Sequence, residues 1–456
     1  MNIQEIVKSQ RDFFNTNKTL DYKFRKQSLL KLKSAIVEFQ DRIADALRAD
    51  LGKSFAESFM CEIGMTLSEL SYMLKHLKKY MKPQKVRTSL SQFPAKSRRL
   101  ACPYGVALIM SPWNYPFMLA MEPLIDALAA GNTAIVKPGS YAVETSKIIK
   151  EIIEKTFAPE YVTCVMGGRD VNKELLDQKF DTIFFTGSTT VGELVLEKAA
   201  KNYTPVTLEL GGKSPCIVDK TANIKLAAKR IAFGKFLNCG QTCVAPDYVL
   251  VEESVKSELL KELKQQIQLQ YGTDPLSNHD YGKIINEKHF KRLTNLIIGA
   301  KVFHGGKYDI NNCKIEPTII DNATLETPAM DEEIFGPILP ILTYKTIEEA
   351  KQLISAHPTP LALYLFSTDK KTIENFTKTI QFGGGCVNDC VLHLATSNMP
   401  FGGVGASGMG AYHGKVGFET FSHYKSILYK KNYLDIAVRY QPYTKSKIKL
   451  MKTIMK

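Results

Sequence analysis

The chain has 456 residues, too many for one ordinary hydrophobic core, and its 44% apolar and 23% charged residues exclude a disordered chain and predict two or three globular domains. No apolar run is long enough to span a bilayer, and the N-terminus lacks the basic start and apolar core of a secretory signal. The formal charge of +14 gathers toward the ends: the 32 residues from Lys425 hold nine Lys or Arg and one acid, Asp435, which describes a tail rather than a nucleic-acid groove.

Residues 1–81 read as helices, because LLKLKSAIVEFQDRIADALRADLG and ESFMCEIGMTLSELSYMLKHLKKYM repeat apolar residues every three or four positions. Residues 82–103 form a polar, extended excursion with prolines near both ends. From Tyr104 the rhythm changes. GVALIMSP, TAIVKP, YVTCVMG and DTIFFTG are predicted as buried strands, with helices over 117–130, 142–157 and 191–201 between them. Such alternation predicts parallel βαβ units in a doubly wound sheet, which places ligands beyond the carboxyl ends of its strands. A second α/β stretch runs from about Glu209 to Asp389, followed by the glycine-rich loop PFGGVGASGMGAYHGK and the basic tail. In the tail Ile448, Leu450, Met451, Ile454 and Met455 fall on one helical side among lysines. That pattern suits an amphipathic helix on an anionic membrane surface, a tail packed on the protein itself, or a frayed basic end. The nine cysteines are odd in number and scattered, which predicts a reduced, cytoplasmic protein.

Five stretches carry residues with chemical potential. In FTGSTTVG, Gly187, Ser188 and Gly192 stand where a strand gives way to a helix, a setting in which backbone N–H groups approach an anion. The bland alternative is a tight turn with a serine cap. In VTLELGGKSP, Glu209 lies between two leucines at a strand end, where burial would raise its pKa toward that of a general base; a surface glutamate on an edge strand is the alternative. In LNCGQTCVAPDY, Cys243 sits in a polar, glycine-containing loop suited to a nucleophile, or to a small buried residue. In SPWNYPF, Asn114 follows the only tryptophan, Trp113, and its amide can donate to an oxyanion or form a turn. In DEEIFGPILP, Glu333 can accept from sugar hydroxyls and Phe335 can back a flat ring.

Taken in this order, PWN, KP, GSTxxG, ELGGKSP, GQxC, EEIFGP and PFGG resemble the aldehyde dehydrogenase superfamily over nearly the whole chain. NCGQTCVAPDYVL and GVGASGMGAYHGKVGFETFSH are most similar to its class 3 branch of fatty and aromatic aldehyde dehydrogenases. The resemblance implies an α/β protein with a Rossmann-like dinucleotide-binding domain (1–81 and 104–208) and a catalytic domain (209–395). It also implies an oligomerisation arm (82–103 and 418–435) ahead of a basic tail (436–456), in a homodimer. It further implies an NAD(P)-dependent enzyme that oxidises medium- or long-chain or aromatic aldehydes to acids. Cys243 would form the thiohemiacetal and thioester, Asn114 would hold the oxyanion, and Glu209 would activate the hydrolytic water. Glu209 thereby argues against acyl transfer to coenzyme A. The cofactor, NAD or NADP, would meet Trp113, Lys137, Ser140, Gly187, Ser188, Gly192, Leu210, Glu333 and Phe335. The substrate would meet Tyr115, Met118, Met121 and His393.

One departure bears on the cofactor. The family often has a glutamate three residues after the lysine of its KPxE motif, whereas here KPGS places Ser140 there. A neutral serine removes the repulsion of a 2′-phosphate, so NADP is expected to serve at least as well as NAD. Two CxxxC pairs, Cys239 with Cys243 and Cys386 with Cys390, admit a four-thiolate zinc site or a reversible Cys239–Cys243 disulfide. Their spacing is not that of common zinc modules and the family needs no metal, so none is expected. Competing readings are a cofactor-independent cysteine hydrolase or acyltransferase, which needs a histidine beside Cys243, and a non-catalytic binding protein, which would have lost the nucleophile, base or amide.

Overall fold

Caps and apolar periodicity fix the N-terminal helices of the computed structural model, which describes residues 2–455. Asn2 and Glu5 form a capping box at the start of Ile3–Asn15, with bonds of 2.8 and 3.0 Å. Asp21 caps Tyr22–Glu38, and Gly52, left-handed at φ 70°, ends Gln40–Leu51. A helix over Gly64–Tyr80 completes this group.

The four strands expected after Tyr104 are found at Val106–Met110, Thr133–Lys137, Val162–Cys164 and Thr182–Thr186. The first, second and fourth are buried at every position, as parallel strands covered on both faces must be. With Val206–Glu209 they form parallel pairs, and the short strand Gly408–Met409 adds an antiparallel edge, giving six strands in one sheet. The intervening helices are Met118–Ala130, Val143–Thr156 and Thr189–Ala200, the last beginning two residues earlier than expected. The α/β class and its Rossmann-like arrangement follow the sequence reading. One alternative is overturned: Glu209 pairs with Thr186 on one side and Gly408 on the other, so its strand is not an edge.

A second sheet of seven strands spans Pro215–Val218 to Gly384–Val387 and is parallel except for Val302–His304 at one border. Residues 82–103 supply Gln84–Val86 and Ala95–Pro103, and the latter pairs antiparallel with all nine residues of Ser422–Lys430. Of the residues in this third sheet only Ser422 is buried. The tail forms a helix, Lys445–Ile454, with none of its residues buried. No helix among the described residues is long and apolar enough to cross a membrane.

The main apolar cluster joins the N-terminal helices, the six-stranded sheet and the inner face of the second sheet. At its centre all thirteen residues of Met118–Ala130 are buried. Ile109 on the middle strand is completely enclosed there. Ile109→Ala is expected to lower stability by about 2–5 kcal/mol through lost burial and a residual cavity, read as a reduced denaturant midpoint with an unchanged slope.

Candidate active site

The nucleophile candidate sits after a turn that L-residues rarely adopt. Asn238, Cys239 and Gly240 have φ of 51°, 51° and 72°, three successive left-handed residues. At Gly240 an added Cβ would lie 2.2 Å from the Gly336 carbonyl oxygen, so only glycine fits. Side chains hold the turn in place. Asn238 Nδ2 and Asn114 Nδ2 both donate to the Gln241 carbonyl, at 3.1 and 3.0 Å, while the Gln241 amide bonds to the Asn238 and Lys283 carbonyls. The turn delivers Cys243 to the wall of a cavity whose volume, with its open mouth, is about 770 Å³.

That cavity is almost wholly apolar. Tyr115, Met118, Leu119, Phe401 and Tyr412 form part of its wall, and Cys61 and Met65 come from the N-terminal helices. Tyr115 and Met118 stand where the sequence reading expected substrate-contacting residues. Met121 and His393 do not. Met121, one helical turn on from Met118, points into the closed core. His393 faces the Cys386 thiol at 3.7 Å and Gly384, and burial pulls its pKa down to about 4, while its neighbours Leu392 and Leu394 line the cavity instead.

Glu209 is 2% exposed, and neither carboxylate oxygen has a hydrogen-bond partner among the described residues. Burial alone holds its pKa well above the usual carboxylate range. Cys243 is half-buried, and its thiol is pushed up first by burial, then by the charges of Glu333 and Glu209, with its own N–H and that of Val244 opposing. Both carboxylates are therefore near enough to the thiol for their charges to act on it. Asn114 is buried beside them, one amide N–H engaged by Gln241 and the second left for an incoming oxygen.

On the other side of the thiol lie the residues expected at the cofactor. Glu333 sits so close to the main chain that a Cβ on Gly211 would fall 2.1 Å from its Oε2. Burial and the nearby Asp247 push its pKa up to about 8. Its loop is clamped by a buried ion pair: Lys213 meets Asp247 at 2.5 Å and donates to the Ala329 and Glu332 carbonyls, while Asp247 accepts from the Ile334 N–H. Phe335 is held at φ 50° and meets the Trp113 ring edge-on at 5.3 Å. His289 joins them, 5.2 Å from Trp113; sequence reading had passed over it.

The phosphate-binding expectation also has a physical basis. Ser188 precedes the helix Thr189–Ala200 without its side chain capping it, and although the Val191 N–H reaches back to the Ser188 carbonyl at 3.1 Å, those of Thr189 and Thr190 have no partner among the described residues at this exposed helix start. Gly192 packs on Leu210, whose Cδ2 lies 2.8 Å from where a Cβ would stand. Lys137 ends its strand 4% exposed without an ion pair among the described residues, and burial lowers its pKa to about 8, a state that an anionic ligand would relieve. Ser140 is exposed three residues later. A nucleotide's anionic and hydroxyl groups fit these uncapped donors, the unpaired lysine and the free Glu333 Oε1.

The other thiols take separate paths. Cys239 lies in the second apolar cluster toward Tyr281 and Gly282, whereas Cys243, Cys386 and Cys390 belong to the first. The two CxxxC pairs thus do not gather into one site, and all nine cysteines are free. Among the described residues no cluster of three or more His, Cys, Asp or Glu is arranged for a metal ion.

The model of the aldehyde dehydrogenase family matches residues 1–427. A relative from Staphylococcus aureus, 4,4'-diaponeurosporen-aldehyde dehydrogenase, is 48% identical over 100% of this chain and 99% of its own. A rat relative, the dimeric NADP-preferring aldehyde dehydrogenase, is 43% identical over 94% of each chain. Among solved structures, the substrate-bound state of Staphylococcus aureus AldH superposes with a TM-score of 0.98 at 47% identity, covering 100% of both chains. Glyceraldehyde-3-phosphate dehydrogenase GapN of Methanocaldococcus jannaschii, complexed with NADP, gives a TM-score of 0.83 at 25% identity, over 94% of each chain.

The state of Glu209 has a measurable consequence. Its raised pKa means that the folded protein keeps a proton which the unfolded chain has already released, so its contribution to stability is full below the ordinary carboxylate range and is lost as pH rises through the folded pKa. Glu209→Gln removes that dependence. The melting temperature of this variant is expected to gain on that of the wild type as the pH is raised from 5 to 9, in paired thermal scans.

Proposed function

Because the chain belongs to the aldehyde dehydrogenase family, we propose that it oxidises apolar aldehydes to carboxylic acids with NAD or NADP, using Cys243, Glu209 and Asn114. One observation carries this reading: Cys243, on the wall of an apolar cavity, stands close enough to the buried, unpartnered Glu209 for that charge to raise its pKa, and the Asn114 amide is tied to the Gln241 carbonyl two residues before it.

The aldehyde enters along the apolar wall with its carbonyl toward Cys243. The Cys243 thiol gives its proton to water and the resulting thiolate adds to the carbonyl carbon, forming a C–S bond as the carbonyl π pair passes to oxygen, an oxyanion that the free Asn114 N–H and the Cys243 N–H stabilise. Loss of hydride from that carbon leaves a thioester on Cys243, and the nicotinamide, when bound, would supply the hydride acceptor. Glu209 then takes a proton from water as that water attacks the thioester carbon, and the acid leaves as the C–S bond breaks. A desolvated carboxylate is the stronger base, which is what the buried setting of Glu209 supplies. The first-turn N–H groups after Ser188 and Lys137 would hold the phosphates and adenosine end. Glu333 would hold the nicotinamide ribose, while Trp113, Leu210 and Phe335 would confine the ring. With Ser140 in place of a carboxylate, NADP is accepted at least as well as NAD, in keeping with the NADP-preferring rat relative.

The homodimer is part of the proposal. Its contact would use the outlying sheet of Gln84–Val86, Ala95–Pro103 and Ser422–Lys430, which exposes Val86, Ile427, Leu428 and Tyr429. The rat relative described as dimeric supports this reading. The histidine base that a cysteine hydrolase or acyltransferase needs is not favoured by the geometry: His413 is engaged by Glu122 at 3.2 Å, and His393 by Cys386.

The central test is reduced-nucleotide formation at 340 nm with hexanal and benzaldehyde. Cys243→Ala is expected to abolish it, and Glu209→Gln to leave one turnover's burst while lowering the steady rate by about 100-fold or more. An equal loss of burst and steady rate in Glu209→Gln would remove that residue from the deacylation step. Ser140→Glu is expected to raise the KM for NADP while leaving that for NAD lower; unchanged selectivity would refute the role given to Ser140.

A further inference from the structure

The helix Met118–Ala130 begins in the protein interior, where its first N–H groups have no water to meet. Glu62 serves them: its Oε2 accepts from the N–H groups of Phe117 at 2.8 Å and Met118 at 3.2 Å. The other carboxylate oxygen holds Lys53 Nζ at 2.5 Å, and both side chains are fully enclosed. Lys53 donates a second bond, of 3.0 Å, to the main-chain carbonyl of Asn114, and its ammonium stands 4.1 Å from the centre of the Tyr115 ring. The same carbonyl accepts from Asn238 Nδ2 at 2.8 Å, within the left-handed turn that precedes Cys243. Glu57, on the short helix beside Lys53, accepts from the Asn238 N–H at 2.8 Å.

One ion pair thus reaches from a helix start to both sides of the reaction centre. Burying two charges is a poor way to gain stability, since apolar residues of similar volume serve as well or better. Its distinctive product is geometry: a carboxylate with two accepting oxygens and an ammonium with several donors tie three backbone segments to one point. We propose that Lys53 and Glu62 are positioning residues for the aldehyde chemistry, fixing the Asn114 peptide so that its side-chain amide meets the oxyanion in register with Cys243. This rests on the roles of Asn114 and Cys243 proposed above. The carbonyl bonds set the plane of the Asn114 peptide, the Gln241 carbonyl sets its amide, and without the first the second cannot hold the free N–H in place.

The test is a mutant cycle on the full-length enzyme. Lys53→Met together with Glu62→Leu removes both members of the pair so that neither is left without the other, and thermal scans verify that the variant, which also takes from Glu57 its neighbouring cation, is folded. Its kcat for hexanal oxidation is expected to fall about 10- to 100-fold, the cost of an ångström-scale misplacement, with the KM for the nucleotide unchanged. Asn114→Ala alone is expected to cost about 100-fold or more, and adding the pair replacement to it should cost little further. In a second arm, Lys53→Arg, which keeps charge and donors, should retain most of the rate that Lys53→Met loses. Full additivity of the pair replacement with Asn114→Ala, or an unchanged kcat in the folded pair variant, would overturn the positioning role alone. An Asn114→Ala enzyme as fast as the wild type would overturn the oxyanion assignment and the positioning role with it.

Discussion

Complete burial of the helix Met118–Ala130 is the constraint around which the molecule is arranged. A helix leaves unmatched N–H groups at its start and carbonyls at its end, and inside a protein these must be met by side chains rather than water. Glu62 meets the start. At the end, Gly131 turns left-handed at φ 98°, the Arg25 guanidinium donates to the Ala129 carbonyl, and Asn132 donates to the Ala127 carbonyl. A Cβ on Gly131 would fall 2.4 Å from an Arg25 nitrogen, so the glycine also makes room for the cation. The N-terminal region, whose helices carry Arg25 and Glu62 and whose loop after Leu51 carries Lys53, is thereby part of the core around the six-stranded sheet and of the candidate active site alike.

Side-chain carboxylates are treated differently from the helix ends. Asp126 on this helix and Glu209 at the site are both enclosed with neither carboxylate oxygen partnered among the described residues. A fold tolerates such a group at a cost in stability, and its chemical return is a carboxyl whose affinity for protons is raised without any neighbouring acid being required. Cys243 shares that environment, so the resting thiol is held neutral by its surroundings. Charges that enter with a ligand, or that Glu333 gains or loses, fall on a site of low polarity and act strongly there. The loop bearing Glu333 is correspondingly rigid, pinned by the Lys213–Asp247 pair and by the strained Phe335.

Apolar enclosure also bears on selectivity. The cavity wall draws on separate parts of the chain, among them the N-terminal helices through Cys61 and Met65, the central helix through Met118 and Leu119, and the glycine-rich loop through Phe401 and Tyr412. Such a wall rewards hydrocarbon surface and offers few hydrogen bonds to a polar substrate. Sulfur-bearing side chains are frequent in it and adapt to irregular shapes more readily than branched ones.

Much of this was legible in the amino-acid sequence. Strand–helix alternation after Tyr104 determined the parallel sheet, because apolar runs of that length bury only between covering helices. The motifs around Asn114, Glu209, Cys243 and Glu333 named their residues, since glycines and turn-forming residues mark where backbone approaches a ligand. Sequence spacing could not say which way a side chain points within a closed core, and so Met121, on the same helix as Met118, was expected in the cavity that it does not reach. It could not show that Cys239 and Cys243, four residues apart, belong to different apolar clusters, because a left-handed turn divides them. Nor could it join Lys53 and Glu62 to Asn114, whose connection spans 61 residues from Lys53. Local pattern determines which segments are helix, strand or turn; the packing of distant segments alone decides which buried charges meet, because that energy exists only once water has been excluded from both.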